Sequence, residues 1–213
     1  MKYKVMIVED QTMPRELFEL RVQASERFEL ALSIDNAALA DVYCLRFPVD
    51  LILMDVITRD GENGLDAAAR IKRAFPQIKI IIVTSMPECS YLKRAKEIGV
   101  ESFWYKEEQR ESLLDVMERT MNGESVYPGA SPELTLGMAS SYQFTERELD
   151  ILREITSGDT NQEIADRLHL SVATVKTHIL NMLEKTGFRN RTELAVRARE
   201  SGLVIPDRKS EAL

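Results

Sequence analysis

Along the first 122 residues, short apolar runs alternate with amphipathic stretches. The runs are Val5–Val8, Leu30–Ile34, Leu51–Met54, Lys79–Thr84 and Ser102–Tyr105. Short apolar runs bounded by turn residues read as strands buried on both faces, as in a parallel sheet covered by helices. Between them, helical spacing of apolar residues covers Pro14–Ala24, Ala37–Phe47, Leu65–Phe75, Ser90–Ile98 and Arg110–Met121, with Gly99 and Gly123 placed to end helices. Five strands alternating with five helices predict an α/β fold: a doubly wound, five-stranded parallel sheet.

The stretch Asn122–Gln143 has no period and reads as a linker. From Phe144 onward the strand pattern is gone and four short helices are written instead. Three open with a capping box, a capping residue followed three positions later by glutamate: Thr145/Glu148, Thr160/Glu163 and Asn190/Glu193. Ser171 is a fourth cap, and Gly158, Gly187 and Gly202 stand where three helices should stop. The expected organisation is a first domain over 1–121, a linker over 122–143 and a small all-α domain over 144–213.

Bulk properties narrow the function. A chain of 213 residues, 44% apolar and 30% charged, suits one or two globular domains. Two cysteines, Cys44 and Cys89, make no disulfide framework and are expected to stay free in a reducing cytoplasm. No apolar run approaches the roughly 20 residues that span a bilayer, and the opening "MKYKVMIVEDQ" meets acidic residues too early for a signal peptide. A cytoplasmic protein without a membrane partner is expected. Net charge is −7, at first sight poor for a nucleic-acid binder.

Asp55 directly follows the run Leu51–Met54, at the carboxyl edge where open α/β sheets place ligands. Glu9 and Asp10 leave the first strand at the same edge, and parallel neighbours bring them beside Asp55. Clustered carboxylates repel one another and become tolerable around a hard divalent cation, usually Mg²⁺. The fourth strand ends in Thr84, and the fifth is followed by Lys106. Together these residues form a phosphoryl-transfer site in which the metal offsets charge, Asp55 attacks phosphorus, and Thr84 and Lys106 hold the transferred oxygens.

That arrangement resembles the receiver domain of two-component response regulators, from Lys4 to about Met121. The resemblance implies a flavodoxin-like fold and phosphorylation of Asp55 by a sensor histidine kinase. It also implies Mg²⁺ (or Mn²⁺) held by Glu9, Asp10, Asp55 and the backbone carbonyl of Ile57, with Phe103 as the switch aromatic. The chain departs from the family pattern in Thr58-Arg59 after the aspartate, in a loop to Gly64 one residue longer, and in Glu107 after the lysine. Ile57 and Met86, two residues after Asp55 and Thr84, are apolar where a polar side chain could hold a hydrolytic water, which predicts a long-lived phosphoryl group.

In the second domain, Thr160–Leu168, a turn at His169-Leu170 and Ser171–Thr186 make a helix-turn-helix candidate. Val172, Val175, Ile179, Met182 and Leu183 share the core face of its second helix. The opposite face carries Ala173, Thr177, Leu180, Asn181 and Glu184, with Lys176 on one flank and Thr174, His178 and Lys185 on the other. Such a face fits the major groove, with base edges ahead and phosphates to either side.

Thr145, Arg147-Glu148, Gly158, Asn161, Glu163-Ile164-Ala165, Ser171, Thr174-Val175-Lys176, His178, Lys185 and Asn190-Arg191-Thr192 resemble the LuxR-type helix-turn-helix of the NarL/FixJ subfamily. The resemblance implies double-stranded promoter DNA as partner, RNA polymerase as a further contact, and a homodimer when phosphorylated, with a dimer contact on Thr192–Ser201. Leu180 stands where many relatives have a polar or basic residue; it cannot hydrogen-bond a base, but it can lie against a thymine methyl. The net charge is no obstacle. Phe144 to the end carries 11 Lys+Arg against 12 Asp+Glu, and Ser171–Arg191 carries four cations against Glu184 alone.

The expected function is a response regulator, not an enzyme, that is phosphorylated on Asp55 and regulates transcription. Two alternatives stand beside it: an orphan regulator working without phosphorylation, and a metal-dependent phosphatase using Asp55 as nucleophile. A phosphatase of the haloacid dehalogenase type needs a second aspartate where this chain has Ile57.

Overall fold

The structure is a computed structural model that describes residues 2–59, 63–85, 89–106, 112–129 and 133–204. Met1–Ser85 and Tyr91–Gly129 form one compact unit, and 133–204 belong to a second.

The first unit is built on five strands: β1 (Tyr3–Val8), β2 (Phe28–Ile34), β3 (Leu51–Met54), β4 (Lys79–Thr84) and β5 (Ser102–Tyr105). All pair in parallel, in the order β2-β1-β3-β4-β5. Around them run α1 (Thr12–Gln23), α2 (Ala40–Arg46), α3 (Gly64–Ala74), α4 (Cys89–Ile98) and α5 (Leu113–Met121). Every residue of β3 is fully buried, as its unbroken apolar run requires. This order makes the gap between β1 and β3 the topological switch point, where neighbouring connections leave in opposite directions and a crevice opens.

Three local features differ from the sequence pattern. The expected helix Ala37–Phe47 is a single 3₁₀ turn, Ala37–Leu39, followed by the short α2. Asn36 caps that turn through Ala38 N, and the buried Thr58 hydroxyl accepts from Ala37 N at 3.0 Å, so side chains fix its first residues independently of helical period. The linker expected over 122–143 is not featureless. Val126 is buried in the first core, its carbonyl accepting from Phe103 N at 2.9 Å, while Leu136 and Ala139 are buried in the second. Finally, a two-strand hairpin, β6 (Thr135–Leu136) with β7 (Ala139–Ser140), turns through Gly137. Gly137 has φ 62°, and a Cβ there would stand 2.1 Å from the Thr186 carbonyl oxygen, so backbone approach excludes any side chain.

Four helices complete the second unit: α6 (Glu146–Thr156), α7 (Asn161–Arg167), α8 (Val172–Thr186) and α9 (Arg191–Ser201). Thr145 and Thr160 form full capping boxes with Glu148 and Glu163, and Ser171 caps α8 through Thr174 N. Asn190 caps α9 through Glu193 N, but the Glu193 carboxylate reaches Arg189 N rather than closing a box on Asn190. The core joins Phe144, Leu149, Leu152, Ile164, Val175, Ile179, Met182 and Leu194.

Candidate functional site

The β1 and β3 ladder continues one residue past the strands. Asp55 N donates to Val8 O at 2.9 Å and Glu9 N to Ile34 O at 2.9 Å, which fixes both backbones where their side chains enter the crevice. Glu9, Asp10 and Asp55 each offer a carboxylate oxygen within 4.8 Å of the others. Glu9 is fully buried, Asp55 is 5% exposed, and Asp10 is half-buried. On the far side of β4, Lys106 N donates to Thr84 O at 2.9 Å, and Lys106 Nζ lies 2.5 Å from Glu9 Oε2 and 2.7 Å from Asp55 Oδ2.

These contacts explain the protonation behaviour. Burial pushes the Asp55 carboxyl up to about 7; the facing ammonium of Lys106 opposes that rise and the Glu9 carboxylate adds to it. Burial disfavours charge on Lys106, but Asp55 and Glu9 outweigh it and raise its pKa above the ordinary value. A single ammonium therefore does part of the work that a divalent cation would do among these oxygens. The donor set of three convergent carboxylates is the kind that holds Mg²⁺ or Mn²⁺ through oxygen.

The other expected site residues fall as follows. Thr84 ends β4, fully buried, paired in register with Tyr105. Ile57 is half-buried and forms a bridge with Asn63. Phe103 is buried, with its ring 5.0 Å from that of Tyr105 and 6.4 Å from that of Tyr127. The departing pair Thr58-Arg59 has a local use: besides the Thr58 bond, Arg59 pairs with Asp35 at 2.9 Å, tying the loop after Asp55 to the segment after β2. Met86 and Glu107 lie outside the described residues.

Sequence reasoning missed the role of Gly64. Its N donates to Val56 O at 2.8 Å, and a Cβ there would stand 1.9 Å from the carbonyl oxygen of Asp55. The start of α3 can approach the backbone of Asp55 only without a side chain. A lone glycine at a helix start was the only signal, and it does not reveal which backbone comes close.

In the second unit, α7 and α8 meet through a turn in which His169 takes φ 53°, Leu170 N donates to Ala165 O at 2.8 Å, and the Arg147 guanidinium donates to Leu168 O at 2.7 Å. On α8, Ala173, Lys176, Thr177, Leu180, Asn181 and Glu184 are exposed, while Thr174 and His178 are half-buried at its flank. Lys185 has partners within the unit. Its Nζ donates to Glu148 at 2.8 and 2.7 Å and to Gln143 O at 2.9 Å, and it lies 5.8 Å from the centre of the Phe144 ring. Burial alone would raise the Glu148 carboxyl, and the bonds from Lys185 and Thr145 instead hold it below its ordinary range. Lys185 thus fastens α8 to α6. The pattern on α8 could not show this, because the acid partner is on another helix.

Both units resemble known proteins. The family model described as response regulator receiver domain matches residues 5–118, and that of the bacterial regulatory proteins of the luxR family matches 142–198. The response regulator protein VraR of Staphylococcus epidermidis is 34% identical over 212 residues, covering 96% of this chain and 100% of that protein. VraR of Staphylococcus aureus is 33% identical over the same shares. Among solved structures, RcsB dimers bound to two parallel DNAs share 17% identity at a TM-score of 0.60, over 92% of this chain and 98% of that one. The regulator ChrA of a heme-sensing two-component system shares 21% at a TM-score of 0.52, over 95% and 98%. At such identities the structural likeness shows the fold alone. The family matches and the VraR relatives show more: the chain belongs to the two-component response regulators of the NarL/FixJ subfamily, in which a receiver domain precedes a LuxR-type helix-turn-helix domain.

Proposed function

We propose that this response regulator is phosphorylated on Asp55 by a sensor histidine kinase and, in that state, binds promoter DNA as a homodimer in the cytoplasm to regulate transcription. RNA polymerase is its further contact at the promoter. The observation that carries the reading is the meeting of Glu9, Asp10 and Asp55 within 4.8 Å, with Lys106 Nζ 2.7 Å from Asp55. An Asp55 oxygen attacks the phosphorus of the kinase's phosphohistidine. The O–P bond forms as the N–P bond breaks, and the released imidazole keeps the electron pair and takes up a proton. Glu9, Asp10, Asp55 and the Ile57 carbonyl would hold Mg²⁺ or Mn²⁺, whose chemistry there is to offset phosphoryl charge. Lys106, its pKa raised, keeps a fixed cation beside the transferred oxygens, and Thr84 donates its hydroxyl to them. Phe103 follows the change in the crevice as the switch aromatic.

On the second unit, α8 lies in the major groove, with Thr177, Leu180 and Asn181 toward base edges and Lys176, Thr174 and His178 toward phosphates. The test is footprinting of the full chain on its own promoter region with and without acetyl phosphate and Mg²⁺. Protection that depends on the phosphodonor is expected. Equal protection in both lanes would favour the orphan regulator, and none in either would remove the DNA-binding reading.

A further inference from the structure

An exposed leucine is ordinary by itself. Leu180 differs in its setting: it is 64% exposed at the middle of the outward face of α8, between Lys176 and Thr177 before it and Asn181 and Glu184 after it. The polar groups of that face are less available than the sequence suggests. The Thr177 hydroxyl donates to Ala173 O at 3.0 Å, and the Thr174 hydroxyl is paired with Ser171 Oγ at 2.8 Å. Both are engaged within the helix's own first turns. Ala173 offers only a methyl group. The centre of the face, Ala173–Thr177–Leu180 at helical neighbour spacing, therefore has no uncommitted side-chain donor for a base, only the lone pairs of the Thr177 hydroxyl, and its largest group is the leucine side chain. Glu184, one turn beyond Leu180, opposes phosphate, and Lys185 is held on Glu148, so contact is confined to the first three turns.

In the major groove, one base carries an apolar group: thymine, with its 5-methyl. We infer that Leu180 is a specificity-determining residue that packs on a thymine 5-methyl, so that each half-site holds an A·T pair under this turn of α8. The inference rests on the proposed docking of α8 in the groove. It names the chemistry read there, which the docking alone leaves open.

The experiment uses duplexes selected from a random library by the full chain treated with acetyl phosphate and Mg²⁺. In the selected duplex each thymine is replaced singly by uracil, which deletes only the methyl, and affinities are measured at one salt concentration for wild type and for Leu180→Ala. Because Leu180 is exposed, the variant keeps its fold, checked by circular dichroism. Burying one methyl on leucine predicts about a fourfold loss for one thymine per half-site in the wild type, and no loss at that thymine in Leu180→Ala. A wild type indifferent to every methyl, or an equal loss in both proteins, overturns the Leu180 assignment while leaving the docking intact. Selection of no sequence, with Lys176→Ala also leaving affinity unchanged, overturns the docking and the inference with it.

Discussion

Lys106 in the receiver crevice and Lys176 on α8 carry the same side chain in opposite surroundings. Lys106 has a side chain 10% exposed and touches two buried carboxylates; Lys176 is exposed to solvent. In the crevice each charge sets the protonation of its neighbours, so removing one alters all of them. On the helix, charges are screened by salt and act one at a time. The receiver should therefore respond to substitution in large, coupled steps, and α8 in small, additive ones. Lys185 crosses that division: it belongs to α8 in sequence, yet its ammonium is held on the buried Glu148.

The largest expected effect is at Lys106. Lys106→Ala removes the cation beside Asp55, and under the proposed phosphotransfer, uptake from acetyl phosphate should slow by roughly 10²–10³, as when one charge-stabilising donor is removed from an active site. Lys176→Ala, assayed alongside, should leave uptake unchanged. Similar losses for both variants would abolish the contrast.

Next comes Gly64→Ala. With a Cβ 1.9 Å from the Asp55 carbonyl oxygen, the backbone must shift. Urea unfolding should show a loss of about 1–3 kcal/mol, the usual range for overpacking, together with slower phosphate uptake. Gly158→Ala is the control, since nothing lies within 4 Å of its added Cβ, although its φ of 90° retains a backbone cost.

A third effect depends on pH. Burial pushes the Asp55 carboxyl up to about 7, above its value in the unfolded chain. The folded form therefore holds the proton more tightly than the unfolded chain does. That contribution to stability is complete below the unfolded pKa and is lost as pH rises through about 7. In metal-free buffer, wild type should lose stability relative to Asp55→Asn between pH 4 and 8, by at most about 1.4 kcal/mol per pH unit. Mg²⁺ should restore the wild type by mass action. Parallel stability curves for the two proteins would show that the crevice is not strained by its own charge.

The smallest effect separates the two lysines of α8. Lys176→Ala should lower the salt slope of DNA binding by roughly one while leaving stability within about 0.5 kcal/mol. Lys185→Ala should leave the slope unchanged and destabilise the second unit by about 1–3 kcal/mol, because Glu148 loses its ionic partner. A drop in slope for Lys185→Ala would restore it as a phosphate contact.

How much of this was legible in the sequence follows from how local each cause is. All five strands end within the sheet where their apolar runs end, β3, β4 and β5 with the same boundaries, because burial on both faces leaves no polar position to blur them. The carboxylate cluster was legible for the same reason, since Glu9 and Asp55 directly follow strands and Asp10 comes next. The hairpin Thr135–Ser140 was not, because two-residue strands carry no period. Nor was the 3₁₀ turn at Ala37, which depends on a hydroxyl from residue 58. The close approach at Gly64 and the ion pair of Lys185 were not legible either: each depends on an atom distant in sequence, the Asp55 carbonyl in one case and the Glu148 carboxylate in the other.

The central claim is that Asp55 alone receives the phosphoryl group. Incubating wild type and Asp55→Asn with acetyl phosphate and Mg²⁺, then measuring intact mass and mapping the modified peptide, tests it directly. One phosphoryl group on the Asp55 peptide of the wild type, and none on the variant, is the expected result. Stoichiometric phosphate on Asp55→Asn would contradict the account.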